Sequence, residues 1–169
     1  MCGKKGRNIM SKCLVVYFSR AGEQYTVGEI QEGNTAIVAK IIAKEISADT
    51  FEIKVLDDSY PDKYAQLIQC AKMEKKLNAR PVLEGEIENI NQYDTIFLGY
   101  PNWWGDMPMA VYSFIEKYDV MDKKVYHFCT HEGSGGVNKD GFAVYGHVAQ
   151  NDRHEVEADV KEWLKKIGF

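Results

Sequence analysis

The feature that most constrains the fold is the lack of alternation in the chain's apolar runs. Cys13-Leu14-Val15-Val16-Tyr17-Phe18 is apolar or aromatic at every position, and Ile96-Phe97-Leu98 runs the same way between Asp94-Thr95 and Gly99. A strand with one face in water alternates apolar and polar side chains, whereas a continuous run is buried on both faces. Two such strands need material above and below the sheet, and the rest of the chain offers helices for it. Asn34-Thr35-Ala36 opens one in which Ile37, Val38, Ile41 and Ile42 recur at helical spacing. Val156, Val160, Trp163, Leu164 and Ile167 form the same kind of stripe near the C-terminus.

The remaining elements fill in between. Residues 50–55 alternate and carry charges, which predicts a strand at the sheet edge. Ser59 and Asp62, with Pro61 in the first turn, start a second helix with Tyr64, Leu67, Ile68 and Ala71 as its buried stripe, ended by Arg80-Pro81. Asp106 is placed to cap a third helix along Met107, Val111, Phe114, Ile115 and Tyr118, with Pro108 in its first turn. Residues 124–130 and 142–148 read as the fourth and fifth strands. Strands alternating with helices predict an α/β, doubly wound, mainly parallel five-stranded sheet with helices on both faces. A length of 169 residues allows one such domain, expected over 12–169, after a polar, basic and flexible N-terminal extension at 1–11.

One connection does not fit that scheme. Only eleven residues separate Thr130 from Phe142, and those from Glu132 to Gly141 are almost all loop-forming. A parallel crossover takes about a dozen residues or more and usually a helix, so the helix between strands 4 and 5 is missing. Three outcomes follow: an extended crossover without a helix, an antiparallel fifth strand, or exchange of the C-terminal strand and helix with a second copy to give a homodimer.

Composition excludes several classes of function. With 45% apolar and 27% charged residues the chain is neither disordered nor fibrous. A net charge of −4 without long single-sign runs argues against nucleic acid, which demands a basic face. No apolar run approaches the ~20 residues of a membrane span, so no membrane association and a cytoplasmic location are expected. The four cysteines lack metal-ligand spacing, and Cys13 and Cys129 fall in strands, where they read as packed thiols. No metal is expected.

Doubly wound sheets bind ligands at the carboxyl ends of their strands, where three loops leave this sheet, at 19–35, 101–106 and 130–136. The first brings Ser19 and Thr35 hydroxyls to a helix N-terminus, a setting suited to phosphate or to a helix cap and nothing more; no phosphate-loop lysine is present. The second carries Trp103 and Trp104, which call for a flat ligand, although one of the two can equally anchor the loop to the core. The third is built of small residues whose backbone can approach a ligand closely.

Four pieces in this order carry a resemblance: Val-Val-Tyr-Phe-Ser-Arg-Ala-Gly at 15–22, Gly-Asn-Thr-Ala at 33–36, Tyr-Asp-Thr-Ile-Phe-Leu-Gly-Tyr-Pro-Asn-Trp-Trp-Gly at 93–105, and Thr-His-Glu-Gly-Ser-Gly-Gly at 130–136. From about Lys12 onward the chain resembles the flavodoxin family, in particular its short-chain flavodoxin-like FMN proteins. The resemblance implies FMN as cofactor and a role in electron transfer or an NAD(P)H:quinone-type reductase activity. The partner would be a redox protein or a small acceptor such as a quinone. By the same resemblance Ser19, Asn34 and Thr35, with the backbone around Ala21 and Ala36, hold the phosphate. Pro101, Asn102, Trp103, Trp104 and Gly105 line the isoalloxazine ring. Thr130, His131, Glu132, Gly133, Ser134 and Gly136 cover its other edge, with His131 shaping the pocket. No catalytic residue is required, because the cofactor carries the redox chemistry. With Glu132 and Asp106 facing few cations beyond Arg20, a low second reduction potential is expected. The chain departs from the family in a longer first loop, residues 23–32, and in the shortened third one. The alternative reading is a degenerate flavodoxin-like module that lost its flavin with the missing helix and serves in binding or regulation.

Overall fold

The structure is a computed structural model that describes residues 12–56 and 60–169. The extension expected at 1–11, and Ser59 at the expected start of the second helix, lie outside the described residues. In chain order the elements are β1 (Cys13–Phe18), β2 (Gly22–Gln24), β3 (Gly28–Ile30), α1 (Asn34–Ile46), β4 (Asp49–Val55), α2 (Tyr64–Leu77) and β5 (Leu83–Glu84). They continue with β6 (Thr95–Pro101), α3 (Met109–Lys117), β7 (Lys124–His131), β8 (Phe142–Tyr145), α4 (Gly146–Asn151) and α5 (Arg153–Ile167).

The two continuous apolar runs are the central strands β1 and β6, side by side in a sheet of order β5-β4-β1-β6-β7-β8. All pairs are parallel except β4 with β5. The five expected strands are therefore present, and a sixth, β5, is added. It has two residues, too few to carry a period, and it pairs beside β4, so β4 is next to the edge and not at it. Side chains alternate between two cores, as the pleat requires. Val15 and Tyr17 meet Phe97, Phe128 and the buried faces of α1 and α5 on one side. Leu14, Val16 and Phe18 meet Ile53, Leu98 and Phe114 on the other. Each fully buried side chain of this size contributes about 1.5–3 kcal/mol. Gly99 sits mid-strand because a Cβ there would run into the Phe128 ring.

The crossover takes the first of the three routes. β8 pairs parallel with β7, from Phe128↔Phe142 to His131↔Tyr145, and no helix lies in residues 132–141. Side chains from elsewhere hold this backbone in place of a helix. Asn102 Nδ2 donates to Gly135 O at 2.8 Å, Tyr100 Oη to Gly136 O at 3.3 Å, and Trp163 Nε1 to Asp140 O at 3.0 Å.

Several element ends differ from the sequence reading. The fifth strand stops at Tyr145, and Gly146-His147-Val148 opens α4 instead of extending it. The long first loop is not irregular, since β2 and β3 form an antiparallel hairpin in it. α2 starts at Tyr64 and ends at Leu77, where Asn78 takes the left-handed conformation (φ 49°), three residues ahead of the expected proline stop. Asp106 does not cap α3, whose N-cap is Pro108; its carboxylate accepts from Met107 N and Tyr112 Oη, both at 2.8 Å.

Candidate ligand-binding site

In the parallel part of the sheet the order β4-β1-β6-β7-β8 reverses between β1 and β6, and the three loops leave the carboxyl ends of the strands around that point. The first loop returns to β1 through Gly33. A Cβ on Gly33 would collide with Ser19 Oγ and lie 2.5 Å from Arg20 O, so only glycine lets the end of β1 meet the start of α1. Ser19 Oγ in turn accepts from Ala36 N at 3.0 Å, capping the helix across the loop. The buried hydroxyls of Thr35 and Thr130 are 2.8 Å apart and stitch the first loop to the end of β7. The first N–H groups of α1, at Asn34 and Thr35, have no partner inside the helix.

The two tryptophans have separate jobs. Trp103 packs edge-on against Phe18 at 5.3 Å and Tyr60 at 5.5 Å between ring centroids, so it is the core anchor. Trp104 remains 48% exposed in a left-handed conformation (φ 56°), with its indole N–H donating to Ile68 O at 3.0 Å. Asn102 ties this loop to the third one: its Oδ1 accepts from Gly105 N at 2.9 Å while its Nδ2 reaches Gly135 O.

Between these loops lies a cavity of about 360 Å³, within the range of small-molecule sites. Trp103 and Trp104 with Leu67, Ile68 and Ala71 of α2 form its apolar wall. Tyr25 and Tyr64, stacked at 5.8 Å and 27°, join the lining from the hairpin and the start of α2. Asn34, Asn102, Thr130, His131, Glu132 and Ser134 supply polar groups.

Of the residues singled out in the sequence, Asn34, Pro101, Asn102, Trp103, Trp104, Gly105, Thr130, His131, Glu132 and Ser134 line this cavity. Ser19 and Ala21 instead line a second one, of about 440 Å³, at the ends of β1 and β4. Thr35, Ala36, Gly133 and Gly136 line neither. Sequence reasoning missed Gln24 and Tyr25, although Gly22 and Gly28 around them are a hairpin signal. It also took Tyr64 and Ile68 for plain core, whereas both are half-buried and line the cavity.

The charges differ from the sequence count as well. Lys72 Nζ lies 5.2 Å from the Trp104 ring centroid and Lys75 pairs with Asp106 at 3.4 Å, so α2 brings cations to the tryptophan loop that the three loops alone lack. His131 Nδ1 accepts from Gly133 N at 2.9 Å, and burial holds the ring below the usual histidine range, which favours the neutral form. Burial pushes the Cys129 thiol up to about 12, so it is a packed group and not a nucleophile.

A mainly parallel sheet with its order reversed between β1 and β6, helices on both faces and a cavity at that reversal define a doubly wound α/β protein with a candidate ligand site at the strand ends. The sequence profile of the flavodoxin family matches residues 12–167, and the chain belongs to this family. A Bacteroides eggerthii protein assigned as a flavoprotein is 26% identical, with 94% of this chain and 99% of that one covered and a TM-score of 0.72. A counterpart from Bacteroides uniformis is also 26% identical, over 89% and 98% of the two chains, with a TM-score of 0.65. A Lactobacillus acidophilus flavoprotein crystallised with FMN shares the fold at 20% identity, over 90% and 85% of the chains, with a TM-score of 0.61. Among proteins of curated function there is no significant match. Among the described residues no helix is long and apolar enough to cross a membrane.

Proposed function

We propose that this chain binds FMN in the cavity between the three loops and carries electrons to a redox protein or a small acceptor such as a quinone. The observation that carries the reading is the composition of that one cavity, in a chain of the flavodoxin family: indole and tyrosine rings on one wall, and an asparagine at a helix N-terminus with small and polar loop residues on the other. The Lactobacillus acidophilus relative, crystallised with FMN, supports it. The residues fit such a cofactor by their chemistry. The first N–H groups of α1 and the Asn34 amide would hold the phosphate, and the positive end of the helix dipole favours its charge. Trp104, fixed by its bond to Ile68 O, would present a flat face to the ring, and Thr130, His131 and Ser134 would meet its polar edge. When bound, FMN supplies reversible one- and two-electron chemistry, so the chain's work is to bind, orient and shield.

Titration decides the matter. FMN added to the purified protein is expected to lose its fluorescence with a Kd below about 1 μM. Unquenched FMN at micromolar protein would sink the reading and leave the degenerate, flavin-free module in its place. Consumption of NAD(P)H with menadione as acceptor then separates a reductase from a carrier that needs a protein donor.

A further inference from the structure

Tyr25 lines the cavity and yet stays 57% exposed. Among the described residues, Tyr25 and Trp104 are the large exposed apolar side chains that line it, and they come from different loops. FMN placed on Trp104 leaves Tyr25 without a ligand, although a bare ring beside a cavity is a ready surface for a flat one.

The hairpin that carries Tyr25 is built to hold it in place. Gly22↔Ile30 and Gln24↔Gly28 pair across the hairpin, and Tyr25 begins the turn between them. Gln24 Nε2 donates to Arg20 O and Ala21 O, both at 3.3 Å, and Ile30 is buried, so the hairpin is tied back to the loop after β1. Glu23 and Tyr25, two residues apart, both meet Tyr64 at the start of α2. Glu23 Oε2 accepts from Tyr64 N at 2.9 Å, satisfying one of the first N–H groups of the helix, and the Tyr25 ring stacks on the Tyr64 ring at 5.8 Å and 27°. Stacking takes one face of Tyr25 and leaves the rest of the ring open, so the pair is an aromatic surface ordered before any ligand arrives. Among the described residues neither phenol hydroxyl has a hydrogen-bond partner, and each is a donor at its ring edge. A flat face with an O–H beside it suits a flat ligand with carbonyl oxygens on its rim.

From this geometry we propose that the pair of Tyr25 and Tyr64 is the docking platform of the electron acceptor, and that this acceptor is a flat small molecule with carbonyls at its edge, a quinone by class, and not a redox protein. Tyr25 is its specificity-determining residue. The inference rests on the FMN reading of the cavity and narrows the acceptor. Neither tyrosine is among the residues that the family resemblance places at FMN. The longer first loop, residues 23–32, supplies the platform's exposed ring.

The test uses the FMN-loaded protein with the variants Tyr25→Ala and Tyr25→Phe. Menadione added to the oxidised protein docks without being reduced, and it is expected to shift the Tyr25 ring resonances, which are identified by their loss in Tyr25→Phe. Protein reduced with dithionite is then reoxidised by menadione below saturation or by ferricyanide, which has no flat face to stack. The ratio of the menadione rate to the ferricyanide rate is expected to fall about tenfold in Tyr25→Ala, the worth of one ring contact and one hydrogen bond. In Tyr25→Phe, which keeps the ring, it falls by about threefold at most. Unmoved Tyr25 resonances, an unchanged ratio in Tyr25→Ala, or equal losses in the two variants would each overturn the proposal. A Kd for FMN that rises in Tyr25→Ala by as much as the ratio falls also overturns it, because Tyr25 would then face the cofactor. Wild-type protein that takes up no FMN overturns the cofactor reading and this inference with it, whereas FMN uptake with any of the preceding results overturns this inference alone.

Discussion

At the scale of single residues, adjacent tryptophans with the same chemistry are used in opposite ways. Trp103 is set against Phe18 and Tyr60, while Trp104 stays half-exposed beside Ile68 and Lys72. Trp103→Ala is therefore expected to destabilise the protein by about 1–3 kcal/mol in urea denaturation, less than a fully buried aromatic would, because the ring is only partly buried. Trp104→Ala should leave the denaturation midpoint almost unmoved and weaken FMN by about 1–3 kcal/mol in the fluorescence titration. The reverse assignment of losses would show that the wrong indole has been placed against the core. Gly33→Ala is expected to lower stability by about 1–3 kcal/mol or more, because the new methyl group has Ser19 Oγ and Arg20 O in its way. The tryptophans and glycines were legible as exceptional residues. Which indole packs against the core was not, since Phe18 and Tyr60 come from distant parts of the chain.

At the scale of elements, the crossover at 132–141 is the unusual piece. Its backbone lacks the internal bonds of a helix and depends on donors lent by Tyr100, Asn102 and Trp163. Asn102 holds two loops at once, so Asn102→Ala should speed amide hydrogen exchange across 132–141 and around Gly105 while exchange in β1 and β6 stays slow. Unaltered exchange in the crossover would mean that Tyr100 and Trp163 suffice to hold it. Long elements were legible because their period repeats: α1 and α5 stand where the stripes of Ile37, Ile41, Val156 and Val160 put them. β5, the β2 and β3 hairpin, and α4 were not. They span two, three, three and six residues, too short for a period to declare itself, and their pairing partners decide them.

At the scale of the whole molecule, pH reports on how the sheet is closed at β7. His127 is half-buried there, with Nδ1 3.4 Å from Tyr100 Oη, and burial holds its pKa below the ordinary 6.5. Above 6.5 neither the folded nor the unfolded state carries this proton. As pH falls below it the unfolded chain takes up a proton that the folded one resists, so stability declines until the folded ring titrates as well. His127→Phe should flatten this part of the pH profile of the urea midpoint, and an unchanged slope between about pH 6.5 and 5 would assign the effect to other groups. Glu32 acts lower down: its bond to Lys40 first, and then Arg153, hold its carboxyl below the usual range, so its contribution is lost as pH falls through that depressed value. By itself the sequence determined the doubly wound α/β class, the central strands, the long helices and the three strand ends where loops gather, because these follow from local period and from burial on both faces. Only the tertiary structure decided how the chain crosses from β7 to β8, which tryptophan packs against Phe18 and Tyr60, that Tyr25 and α2 join the cavity wall, and that Gln150 of α4 bonds to Asn34. Each of these depends on contacts between residues far apart in the chain, and no local pattern encodes them.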